Sequence, residues 1–233
     1  MKRIFLIPVA AAMVFIITAS APKSPYPSAT ALKWEKKTGA RKIPKGKKIF
    51  NVTDFGARND SLTLNTKAIQ DAIDACASKG GGVVTFDEGN YVTGSLFVKK
   101  GVTLHIGKNT QLLGSQNIDD YPEIDTRVAG VELRWPAALI NVLDQDNVAI
   151  TGEGTIHARG KPFWDKYWNM RRDYEKKGLR WMVDYDCKRP RTVLVTGSSN
   201  VTVKGITFKQ AGFWTVQILY SKNITVNGIT ILN

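Results

Sequence analysis

Two stretches late in the chain, NVTVKGITF (Asn200–Phe208) and NITVNGITI (Asn223–Ile231), superimpose almost residue for residue. In each, Asn leads to a β-branched residue, Thr, Val, a variable position, Gly, Ile, Thr and an apolar residue, and the two copies lie 23 residues apart. One copy is too short to bury its own apolar face, so a fixed period of this kind predicts stacked units. Stacking in register places Val201 over Ile224, Val203 over Val226 and Ile206 over Ile229. Gly205 and Gly228 suit a sharp corner between two strands. Asn200 and Asn223 head the preceding corner, where a ladder of stacked amides is expected to satisfy turn backbone groups.

Working outward, NVAITGEGTI (Asn147–Ile156) is an earlier copy, 53 residues before Asn200, and GVTLHIGKNTQLLG (Gly101–Gly114) is a looser one. Asn-Gly turns between alternating runs would mark hairpins, but these segments repeat in parallel. The pattern is that of an all-β parallel β-helix, and the leucine framework of a horseshoe fold is absent. Before the first coil, Ala68, Ile69, Ala72, Ile73 and Cys76 fall at helical spacing behind a possible cap at Asn65 or Thr66, and Gly80–Gly82 ends the run. An open solenoid exposes its first apolar layer, so this helix is expected to cap it.

The N-terminus reads as an export signal over residues 1–21: Met1-Lys2-Arg3, an apolar run from Ile4 to Ile17, then Ala19-Ser20-Ala21. That run falls short of the roughly 20 residues of a spanning helix, so the chain is expected to be secreted or periplasmic, with no stable membrane span once the signal is removed. Residues 22–48, rich in Pro, Ser, Ala and Lys, read as an exposed linker, and residues 49–233 as the β-helix domain. The formal charge is +13, or +11 without Lys2 and Arg3, which attracts polyanions. For an exported chain acidic polysaccharide is the expected partner, rather than nucleic acid. Two cysteines, Cys76 and Cys187, make no disulfide framework and no short zinc pattern.

Asp54-Phe55-Gly56-Ala57, Asp60, Asn65-Thr66, Ala68-Ile69, Gly80-Gly81-Gly82 and Gly89-x-Tyr91 resemble the opening of the pectin-degrading right-handed β-helix enzymes. The later elements ITGEGTI, PFWDKYW and KRPRTVLVTGSSNVTVKGITFKQAGFWTVQ are similar to glycoside hydrolase family 28, the polygalacturonase group. The resemblance runs from Phe50 to Asn233. It implies an inverting hydrolase acting as a monomer on α-1,4-galacturonosyl bonds of pectic polysaccharide, without a cofactor. The chain departs from the family pattern at Ser61, at His157-Ala158-Arg159-Gly160 and at Gln217, where many relatives carry histidine.

Inversion needs a carboxylic acid and a carboxylate base roughly 6.5–9.5 Å apart. The resemblance implies that they come from an Asn-Thr-Asp motif and an Asp-Asp pair, with a Gly-His-Gly and an Arg-x-Lys following. No Asn-Thr-Asp, Gly-His-Gly or Arg-Ile-Lys occurs in this sequence and its one Asp-Asp pair does not read as a coil strand, so no catalytic residue is assigned. The chain as given is expected to be a catalytically incompetent N-terminal part. Asp119-Asp120 precedes Tyr-Pro and reads as a turn. Asp184 and Asp186 read as ion-pair partners of Arg189 or Arg191, and His105 and His157 as ordinary strand or loop residues. No metal cluster is apparent. Between Lys161 and Arg191, aromatic residues interleave with cations, a composition suited to stacking sugars and pairing uronates, though the rings also serve to pin a long loop. The substrate-binding candidates are Trp164, Trp168, Arg189, Arg191, Trp214 and Gln217. The alternatives are a non-catalytic acidic-polysaccharide-binding β-helix and a polysaccharide lyase on the same fold.

Overall fold

A computed structural model describes Trp34 and residues 37–233; the expected export signal and most of the expected linker lie outside the described residues. The coil has three parallel sheets. Sheet A stacks β1 (Ile49–Asn51), β3 (Gly82–Thr85), β6 (Val102–His105), β11 (Asp146–Thr151), β14 (Ser199–Lys204) and β17 (Lys222–Asn227). Sheet B stacks β2 (Asp60–Leu64), β4 (Gly89–Thr93), β7 (Thr110–Gly114), β12 (Thr155–His157), β15 (Thr207–Lys209) and β18 (Thr230–Leu232). Sheet C stacks β5 (Leu96–Phe97), β10 (Ile140–Leu143), β13 (Val193–Thr196) and β16 (Val216–Leu219). Val201 lies over Ile224 and Val203 over Val226, while the Thr207–Thr230 pairing puts Ile206 over Ile229. Val84, Leu104, Ile150 and Val203 form one wholly buried column of the core.

The corners show why the repeat carries Asn and Gly where it does. Gly81, Gly101, Asn147, Asn200 and Asn223 form one column at the entry to sheet A, and all have positive φ. Gly tolerates the left-handed region freely, and Asn tolerates it better than other residues. The expected amide ladder is replaced by different bonding. The Asn200 amide donates to Asp146 at 2.7 Å and its oxygen accepts the Arg41 N–H at 3.1 Å. Backbone conformation, rather than side-chain stacking, selects Asn here.

Helix α1 (Thr66–Ser78) buries Ile69, Ala72, Ile73 and Cys76 against the first coils. Asn65 precedes it without capping it: the side chain accepts from the Arg58 N–H at 2.7 Å and donates to the Arg58 and Thr63 carbonyls. Gln70 ties the helix to the coil, exchanging two hydrogen bonds with the Phe97 backbone at 2.8 and 3.0 Å. Cys76 and Cys187 are both free and buried.

The last part of the expected linker is structured. Ala40 donates its N–H to Thr225 Oγ1 at 2.8 Å, Lys42 lies 3.6 Å from Asp146, and the Lys48 carbonyl accepts from Val83 at 2.8 Å. Residues 39–48 therefore form a strap across β17, β14, β11 and β3. Its backbone groups find partners along sheet A, at Thr225, Asn200 and Val83, which a reading of composition does not reveal. The Ser199 hydroxyl, the Asn200 amide and Lys42 hold the Asp146 carboxyl down to about 2, against an ordinary 3.8. A depressed carboxyl stabilises the fold above its unfolded value, so this contribution is lost as pH falls from 3.8 through 2. At neutral pH, Asp146→Ala is expected to open the strap to trypsin after Arg41 and Lys42 while the far-ultraviolet circular dichroism stays unchanged. Unaltered cleavage would mean that the strap does not depend on this corner.

Candidate functional site

Every large insertion leaves the coil directly after a sheet B strand. Helix α1 follows β2. An antiparallel hairpin of β8 (Glu123–Val128) and β9 (Val131–Pro136) lies between β7 and β10. Helices α2 (Lys161–Lys176) and α3 (Val183–Asp186) lie between β12 and β13. One edge of sheet C thus carries a built-up wall. The hairpin corrects the expectation of parallel strands throughout. Its two-residue turn, Ala129-Gly130, has positive φ at both positions, which the mirror-image turns of hairpins require.

The insertion expected as an aromatic loop is largely helical. Pro162 opens α2 where a missing N–H costs nothing, and Phe163, Tyr167, Met170 and Tyr174 fall at steps of four, three and four residues. Tyr167, Met170 and Tyr174 pack with Val183 and Cys187. Tyr167 donates to Asp184 at 2.8 Å and Tyr174 to Asp186 at 2.9 Å. Asp184 also lies 3.5 Å from Arg189, the ion pair expected from the sequence.

Three layers meet just before the sheet C strands, ordered by the register Ile140–Val193–Val216. Trp135, wholly buried, donates its indole N–H to the Arg189 carbonyl at 2.8 Å and packs 5.9 Å from Phe213. The Arg189 guanidinium lies between two rings, 4.0 Å over Tyr167 and 4.4 Å over Phe213. Trp214 stacks on Phe213 with centroids 4.3 Å apart and rings 18° from parallel. Trp181, Tyr185, Asp184, Phe213, Trp214 and the hairpin tip at Ala129 wall a cavity of about 460 Å³.

Arg191 lies deeper, with 1% of its surface exposed. It donates to Gln217 Oε1 at 2.7 Å and to Thr126 Oγ1 at 3.2 Å, and its second amino group lies 3.5 Å from the Pro136 carbonyl. These partners are all neutral. Burial alone pulls the guanidinium down to about 10, so it keeps its charge at neutral pH. Because Gln217 accepts from Arg191, its amide nitrogen is turned to donate, and it meets the Arg127 carbonyl at 3.4 Å.

The six sequence candidates are thus divided. Arg189 and Trp214 join through Phe213, and Arg191 and Gln217 join directly. Trp164 donates to the Ala211 carbonyl at 2.7 Å and fastens α2 to the coil. Trp168 stands apart, half exposed, edge-on to Tyr167 with Arg171 4.9 Å above it. Sequence reasoning passed over Phe213 and Trp135 as site residues and did not single out Trp181. Arg127 and Glu132 on the hairpin, which meet on the Tyr220 hydroxyl, were also missed. The α2 stripe was the available signal for the helix; nothing local predicts the hairpin's seat over sheet C. His157 accepts the Arg159 N–H at 3.1 Å, and burial lowers its imidazole below the ordinary value.

The family model described as rhamnogalacturonase A/epimerase, pectate lyase-like, matches residues 49–233. An exo-poly-alpha-D-galacturonosidase of Dickeya chrysanthemi is 38% identical over 121 residues, 48% of this chain and 20% of that protein. A probable polygalacturonase of Vitis vinifera is 31% identical over 191 residues, 78% of this chain and 36% of that protein. Among solved structures, the family 28 exopolygalacturonase of Yersinia enterocolitica superposes with a TM-score of 0.66 at 29% identity, over 79% of this chain and 39% of that one. The chain therefore spans well under half the length of these relatives.

Proposed function

The chain belongs to the rhamnogalacturonase A/epimerase, pectate lyase-like family, and from that premise we propose that it is exported and grips a polygalacturonate-type pectic chain for inverting hydrolysis. These 233 residues supply the grip and not the acid–base pair. The observation that carries this reading is Arg191, a buried cation with only neutral partners, set behind the partly buried Gln217 amide and beside an aromatic stack. An unpaired buried charge is costly, and an incoming carboxylate offsets that cost. Four carboxylates on the wall are already engaged: Asp184 by Tyr167 and Arg189, Asp186 by Tyr174, Glu132 by Tyr220, and Glu123 by Lys188 and Arg134. Asp125, exposed on the same hairpin, is unengaged but does not belong to a coil strand.

Affinity electrophoresis in polygalacturonate gels and a reducing-end assay test both halves. The chain is expected to be retarded, less so as salt screens the attraction, and to release no reducing ends. Robust turnover sinks the second half; mobility equal to that in gels without polymer sinks the first. A lyase on this fold would instead generate an unsaturated product absorbing in the ultraviolet.

A further inference from the structure

The cavity between the insertion and the Phe213–Trp214 stack differs chemically from the Arg191–Gln217 face. Its walls are aromatic, and the carboxylate among them is Asp184. The nearby cations are turned to other work. Arg189 has a side chain 10% exposed, is sandwiched by Tyr167 and Phe213, and lies 3.5 Å from Asp184. Arg180 lies 3.9 Å over the Trp181 ring and 3.7 Å from Glu175. A free uronate seated here would bring its carboxylate beside Asp184 without a cation to receive it, and desolvating an unpaired carboxylate costs several kcal/mol. An uncharged ring meets no such obstacle. Its C–H faces stack on Trp181 and Trp214, and about 460 Å³ is within the range of small-molecule sites.

We propose that this cavity is a subsite for an uncharged sugar ring, either an esterified uronate or a neutral glycosyl, carried by an otherwise acidic polymer. The proposal rests on the pectic reading above. Two polar handles define the ring's orientation: the Asp184 carboxylate accepts a sugar hydroxyl, and the Tyr185 phenol lies by the hairpin tip, 3.4 Å from the Ala129 carbonyl.

Calorimetry on the intact chain compares a galacturonate trimer with the same trimer carrying one methyl ester. Tryptophan fluorescence reads methyl galactoside, a neutral probe of the cavity alone. The singly esterified trimer is expected to bind about five-fold tighter, a difference of ~1 kcal/mol. Trp181→Ala, at a residue 69% exposed and therefore outside the core, should abolish that preference. Free-acid trimer binding equally or better, or a preference that survives Trp181→Ala, overturns the subsite and leaves the pectic reading intact. If neither trimer binds, the pectic reading fails, and the galactoside decides the cavity. A Trp181-dependent fluorescence change upholds it, and no change overturns it. An ester preference without a galactoside response assigns the ring to esterified uronate; both responses assign it to neutral rings generally.

Discussion

Gly152→Ala is expected to leave the chain unable to hold its coil, with a loss above about 4 kcal/mol. Gly152 turns the corner from sheet A to sheet B at φ +127°, and a Cβ there would sit 1.9 Å from the Ile106 carbonyl oxygen and 2.6 Å from its carbon. Both obstructing atoms are backbone, fixed by the Ile106 N–H bond to Thr151 at 2.8 Å. No rotamer change relieves the overlap; two coils must part. Gly228 occupies the matching corner two coils on, at φ +60°, with nothing within 4 Å of its would-be Cβ. Gly228→Ala should therefore cost only the left-handed backbone penalty, about 1–2 kcal/mol. Urea unfolding of both variants checks the contrast, since comparable m-values make the midpoints comparable. Midpoints equal within error would show that the coil spacing at Gly152 yields instead of staying rigid.

That contrast also explains what a reader of the sequence sees and misses. The 23-residue repeat shows Gly205 and Gly228 as equivalent letters, and so they are in topology. Their surroundings differ although each stacks on a preceding coil: a would-be Cβ at Gly205 lies 2.5 Å from the Gly152 carbonyl oxygen, whereas one at Gly228 has nothing within 4 Å. The period fixes which residues stack; it carries no information on how closely each layer approaches. The same limit applies to Asn200 and Asn223, legible as corner residues but not as left-handed ones.

The site was less legible than the coil for a related reason. Arginine and tryptophan were visible as residue types suited to an acidic sugar, but roles depend on partners distant in sequence. Trp164 and Trp214 look alike in the chain, yet one fastens a helix to Ala211 and the other caps a stacked pair on the cavity wall. The hairpin escaped notice because its turn is Ala-Gly rather than Asn-Gly. Without the hairpin in place, nothing indicates that Arg191 is buried under Thr126 and Pro136. Asp184, by contrast, lies five residues from Arg189, close enough for the pairing to be read directly.

Gln217→Glu separates stability from binding by moving them in opposite directions. The substitution is nearly isosteric and places a carboxylate where the amide oxygen now accepts from Arg191 at 2.7 Å. A buried cation with neutral partners gains a counter-charge, and since Gln217 is only partly buried the gain should be about 1–2 kcal/mol, below that of a fully buried pair. Arg191 beside it holds the new carboxyl below the ordinary value of about 4.3. The added stability is then present above that pH and is lost as pH falls through the lower folded value. Binding should change the other way, because the charge that attracts a uronate is neutralised and a negative group stands before it. At neutral pH the variant is expected to unfold at higher urea than the parent and to lose at least about ten-fold in affinity for polygalacturonate, or ~1.4 kcal/mol. Arg191→Met removes the cation while roughly keeping its volume; it should weaken binding comparably without the stability gain. A more stable Gln217→Glu chain that binds polygalacturonate as the parent does would assign Arg191 to architecture alone. The grip would then have to come from the exposed cations of the hairpin, Arg127 and Arg134, whose contribution salt would largely abolish.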